Sequence, residues 1–142
     1  MTRKKILVPF GPEIRDLMSV HYAMALAERL QARVFILQWG GAPNGSEPYP
    51  TWLEEALADL ITSARLAGLR MSHMTVTGPL EQAAVNVVKD ERIDLLVLGE
   101  NQSRLERRLL QLAPHLTHSI IRVKEKDTVS LSEKEGGPRW RS

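Results

Sequence analysis

The chain has 142 residues, a usual length for one domain and enough to bury a core without stapling. Hydrophobic residues make up 43% and charged residues 25%, an ordinary globular balance that argues against wholesale disorder. The net charge of +2, with basic residues scattered along the chain, gives no footprint for nucleic acid, and the absence of cysteine excludes disulfides, thiolate metal sites and cysteine nucleophiles.

Residues Met1 to Lys5 lead into Ile6-Leu7-Val8, an apolar run that Pro9 ends. It is too short for a signal peptide or a membrane span, so a cytoplasmic chain without membrane insertion is expected. Lys4–Pro9 reads as a buried strand. Gly11-Pro12 makes a turn, and a helix is expected from about Ile14 to Gln31, with Val20, Ala23, Ala27 and Leu30 at helical spacing. Arg33–Trp39 (RVFILQW) is a second buried strand.

Gly40–Pro50 carries three prolines and three glycines and reads as a loop. Thr51 and Glu54 form a T-x-x-E capping box, followed by the apolar face Leu53, Leu57, Leu60, Ala64 and Ala67, with Gly68 placed to cap the end. A third strand runs from Leu69 or Arg70 to Val76. Gly78-Pro79 opens a helix with the stripe Leu80, Ala83, Ala84, Val87 and Val88. Ile93–Gly99 is the most apolar run and a fourth strand, Arg104–Leu112 a fourth helix, and Ser119–Val123 a short last strand.

The order β-α-β-α-β-α-β-α-β predicts a five-stranded, mostly parallel sheet with helices on both faces. One domain is expected over 1–123. The tail 124–142, with nine charged residues and little apolar content, is expected to be disordered.

Several of these segments together resemble the universal stress protein family: Lys5-Ile6-Leu7-Val8-Pro9, the passage from Ala23 to Leu37, Gly78-Pro79, and above all Asp94-Leu95-Leu96-Val97-Leu98-Gly99. The resemblance implies a flavodoxin-like three-layer sandwich, akin to the adenine-nucleotide α-hydrolase fold. It also implies dimerisation through the last strand and, in one branch, binding of ATP or AMP.

In a doubly wound sheet a ligand sits beyond the carboxyl ends of the strands. Here those ends supply Pro9, Phe10, Gly11, Gln38, Gly99, Asn101 and Gln102, with Arg104 close behind. Nucleotide-binding members of the family carry an Asp after the first strand and G-x-x-G-x9-G-[ST] after the fourth. This chain departs at both. Phe10 stands in place of the Asp and Pro12 in place of the following Ser; Gly99 matches the first glycine, Gln102 replaces the second, and no glycine lies between Glu100 and His118. Without those glycines the backbone cannot readily turn several N–H groups inward. Arg104, Arg107 and Arg108 stand either as replacement phosphate ligands or as a solvated helix face.

Other candidates carry less. His115 and His118 lack a third ligand at useful spacing, so no metal is expected. His21 and His73 have no local partner for catalysis, and no hydrolase, Walker A or G-x-G-x-x-G motif is present. Trp39, Tyr49 and Trp52 around the Pro-rich loop either cover the crevice or pack the loop down. Ile120, Ile121 and Val123 are the expected dimer strand. The expectation is therefore a non-catalytic stress-response homodimer with an unknown protein partner, no cofactor and a degenerate nucleotide site. The alternative is an ATP- or AMP-binding module built on a rearranged loop from Asn101 to Arg108.

Overall fold

A computed structural model describes residues 3–41 and 49–124. The expected tail, and most of the Pro-rich loop, lie outside the described residues. Five strands alternate with four helices: β1 (Lys5–Phe10), α1 (Met18–Leu30), β2 (Arg33–Trp39), α2 (Thr51–Leu66), β3 (Arg70–Val76), α3 (Leu80–Glu91), β4 (Leu95–Gly99), α4 (Ser103–Leu112) and β5 (Ile120–Val123). A 3₁₀ turn, Pro114–His118, joins α4 to β5.

The strand order is β3-β2-β1-β4-β5 and every neighbouring pair is parallel. The first two crossovers step one way along the sheet and the last two the other way. A common hand then puts α1 and α2 on one face and α3 and α4 on the opposite face. Ile6, Val8, Phe10, Val34, Ile36 and Val97 pack under α1 and α2. Leu7, Phe35, Leu37, Leu96 and Leu98 pack under α3 and α4. Central strands covered on both faces must be apolar on both, which is why β1, β2 and β4 read as continuous runs. β3 lies at an edge, and only Met71 of its seven residues is buried.

Three local expectations are corrected. The first helix begins at Met18, not Ile14, because Asp16 accepts the Met18 N–H at 3.1 Å and Ile14 closes a turn on the Gly11 carbonyl at 3.1 Å. Leu30, at the end of that helix, is 45% exposed. The capping box does not form: Thr51 is already the first helical residue, and the Pro50 carbonyl takes the N–H groups of Leu53 and Glu54. Gly68 does end α2 as expected, with φ +96 just past the helix, a conformation that glycine adopts without strain.

A strand-end cleft closed by Gln102

The centre of the sheet is where the strand order reverses, between β1 and β4. These two strands pair only through Ile6 with Leu95 and Leu7 with Leu96, whereas β1 and β2 pair along all six residues of β1. The reason lies in Pro9. The Lys5 carbonyl accepts from Asp94 at 2.9 Å, and the Lys5 N–H donates to the Asp94 carboxylate at 2.9 Å. The Lys4 carbonyl instead takes the Arg33 N–H. Odd-numbered residues of β1 therefore present their backbone to β4, and Pro9 is the next of them after Leu7. It has no N–H to donate, so the ladder stops there and its carbonyl is left without a strand partner.

Gln102 fills the gap. Its side chain is 2% exposed, on the turn between β4 and α4. Its Oε1 accepts the Gly99 N–H at 2.9 Å, and its Nε2 donates to the Pro9 carbonyl at 3.1 Å and to Glu13 Oε2 at 2.7 Å. One carboxamide thus bridges the ends of β1 and β4 as a peptide group would, with both N–H donors and its carbonyl engaged. Asn101 reinforces the closure by donating to the Glu13 carbonyl at 2.6 Å. Gly11 permits it: a Cβ there would lie 2.5 Å from Glu13 Oε2.

The remaining expected residues are distributed around this plug. Phe10 is fully buried, and its ring faces the α1 and α2 layer, 5.2 Å centroid to centroid from Tyr49. It therefore neither fills nor lines the crevice. The Tyr49 hydroxyl donates to the Phe10 carbonyl, and burial pushes its ionisation above the usual tyrosine range. Gln38 is likewise turned to that layer, where its Oε1 meets His73 Nε2 at 2.7 Å. Burial, and then the charge of Arg65, lower the His73 pKa. Gly99 is buried behind Gln102, to which it donates, while Arg104 is exposed at the rim.

What remains open is a shallow cleft of about 300 Å³, lined chiefly by Glu13, Trp39, Leu80, Glu81, Asn101 and Arg104. That is the lower limit of common small-ligand pockets, which run from about 300 to 1,000 Å³. Two carboxylates and one guanidinium line it. Trp39 holds its far wall through an Nε1–H bond of 2.8 Å to the Gly78 carbonyl. Glu13 and Glu81 escaped the sequence reading, since only the fold brings them to this cleft, whereas Trp39 is among the residues expected to cover it or pack the loop. Among the described residues no group of three or more potential ligands could hold a metal ion, and no helix is long and apolar enough to cross a membrane. His115 and His118 are both exposed on the 3₁₀ turn.

The other expected surface is β5. Val123 is buried, at 8% exposure, and Ile120 and Ile121 are half-buried against the two layers of the monomer itself. Ser119 and Val123 turn their carbonyls to β4. Ile120 and Arg122 accordingly present their backbone groups outward along the sheet edge.

An all-parallel sheet that reverses order at β1 and β4, with a strand-end cleft at the reversal, defines a doubly wound α/β protein of the kind that offers a nucleotide-type crevice. The model of the universal stress protein family matches residues 2–122, and the chain belongs to that family. Similar solved structures include the universal stress protein of Archaeoglobus fulgidus in complex with dAMP, at 13% identity and a TM-score of 0.61, covering 87% of this chain and 100% of that one. UspA of Lactobacillus plantarum, at 18% identity and a TM-score of 0.54, covers 87% and 99%. A family protein of Burkholderia pseudomallei, at 17% identity and a TM-score of 0.55, covers 84% and 95%. At these identities the likeness speaks to fold alone. Among proteins of curated function, no sequence match reaches significance.

Proposed function

We propose that this universal stress protein is a non-catalytic, cytoplasmic regulatory homodimer whose strand-end nucleotide site is degenerate, and that it acts through contact with a protein partner. The observation that carries the reading is the Gly99–Gln102–Pro9 bridge. The backbone donor that a phosphate would use is already bonded to a buried side chain. A nucleotide entering there would have to expel Gln102 and strand the Gly99 N–H, the Pro9 carbonyl or both unless it replaced each bond. Glu13 and Glu81 add negative charge to the same cleft. Dimerisation is supported by the outer edge of β5, which no strand among the described residues pairs, since exposed edges are usually covered.

A second reading has one observation in its favour. Solved structures of the same fold include complexes with dAMP and with cAMP, and Arg104 stands at the rim of the open cleft. Titration calorimetry with AMP and with ATP, magnesium present, separates the two. The degenerate site predicts no saturable AMP binding, and any ATP heat unchanged in Gly99→Ala. Micromolar AMP binding that Gly99→Ala abolishes would establish the nucleotide module instead.

A further inference from the structure

We propose that the outward flank of α4, with the cleft beside it, is a binding site for a compact oligophosphate anion. The site adjoins the strand-end cleft, with which it shares Glu81 and Arg104, but it uses neither Gly99 nor Gln102 and so does not depend on whether that crevice is closed.

An α-helix turns about 100° per residue, so Leu105 and Leu109 define the buried side of α4. Arg104, Arg107, Arg108 and Gln111 then share the flank that looks toward the start of α3. All four line a cleft of about 580 Å³ with Pro79, Glu81, Gln82 and Leu112. Glu106, the one acid of α4, falls on the opposite flank. There it is held by Arg122 of β5, whose Nε donates to Oε1 at 2.8 Å while its second nitrogen reaches Oε2. The carboxylate best placed by sequence to neutralise the arginines is thereby taken out of their reach.

Among the described residues, the ion pairs are Lys5 with Glu91 and Arg122 with Glu106, and neither involves Arg104, Arg107 or Arg108. Three guanidinium groups and one carboxylate, Glu81, thus face one concavity. Like charges at i and i+4, as Arg104 and Arg108 are, cost an isolated helix stability. A ligand with several closely spaced anionic oxygens would offset that repulsion. Guanidinium forks also match phosphate oxygens in pairs. The chemistry selects charge density rather than a base or sugar, so a free oligophosphate and the polyphosphate end of a nucleotide are equally admissible sources.

The test uses the full chain, tripolyphosphate as probe, and low ionic strength, where screening is weakest. Saturable binding is expected. Arg107→Ala with Arg108→Ala should weaken it by roughly tenfold or more, and the paired Lys substitutions should recover only part of the loss. Glu81→Gln should tighten it, and AMP should bind at least about tenfold more weakly than tripolyphosphate, having fewer oxygens to pair. These arginines are exposed, so the double Ala variant should melt no lower than the parent, which keeps a binding loss interpretable. ATP that competes admits a nucleotide as the source, and ATP that does not restricts the site to the free anion; either supports the site. Unchanged affinity in the double Ala variant, failure to saturate, or tighter binding of a single-stranded oligonucleotide than of tripolyphosphate overturns the proposal.

Discussion

The side-chain carbonyl of Gln102 takes the N–H of Gly99 at 2.9 Å and, through its amide nitrogen, ties that residue to Pro9 across the gap between β4 and β1. Pro9 opens the gap by lacking a donor, and Gln102 closes it with a side chain that acts as a peptide group. The bridge is a structural repair and, on the proposed reading, also a block on the place where a phosphate would approach. Its removal should therefore be costly. Gln102→Ala leaves a buried N–H and a buried carbonyl without partners and should lower the unfolding free energy by about 1–3 kcal/mol in denaturant titration. Gln102→Glu should be worse near neutral pH than in acid, because a carboxylate there faces Glu13 and the Pro9 carbonyl.

Tyr49 offers a spectroscopic check on the neighbouring wall. Its hydroxyl is buried and bonded to the Phe10 carbonyl, and its folded pKa lies above the unfolded value near 10. A raised tyrosine pKa contributes stability below pH 10 that is lost as the pH climbs past it. Ultraviolet titration should show a phenol that ionises late in the native protein, and Tyr49→Phe should remove that component.

His73 sets a slope on the other side of neutrality. Its folded pKa is lowered, by burial first and Arg65 second, so near and below the unfolded value of 6.5 the unfolded chain binds more protons than the native one. Stability should then fall as the pH drops through that range. His73→Asn should flatten this part of the curve relative to the parent, as read by thermal melting from pH 8 to pH 5.

The edge of β5 can be tested without disturbing the core. The Arg122 N–H points away from β4, so Arg122→Pro removes an outward donor while leaving the inner ladder intact. Light scattering after size exclusion should show a monomer for Arg122→Pro. Arg122→Ala should keep the proposed dimer, because an exposed ion pair such as that with Glu106 contributes little.

The architecture was legible because burial writes itself into runs and periods. Leu96, Val97 and Leu98 are apolar whichever face they serve, and Ala23 with Ala27, or Leu53 with Leu57, repeat as a packed helix must. Boundaries were less legible. Thr51 and Glu54 match a capping pattern, yet the chain turns helical one residue earlier than that pattern needs, and the first helix starts at Met18 rather than Ile14, with Asp16 just before it accepting the Met18 N–H. The crevice was legible as a departure from a motif, but not as a closure. The partners of Gln102 and Asn101 on the β1 side, Pro9 and Glu13, lie 88 to 93 residues away in sequence, and no local pattern reports such contacts. Phe10 shows the same limit: the sequence places it at the strand end, and only the pleat decides that its ring belongs to the core.

The most direct test of the closed crevice is the Gly99 amide itself, followed in a nitrogen–proton correlation spectrum while AMP is added to the intact chain. The bridge predicts an amide protected from exchange, with no saturable shift at Gly99, Asn101 or the Gln102 side-chain NH₂. A saturable movement of the Gly99 amide together with release of the Gln102 side chain would contradict it.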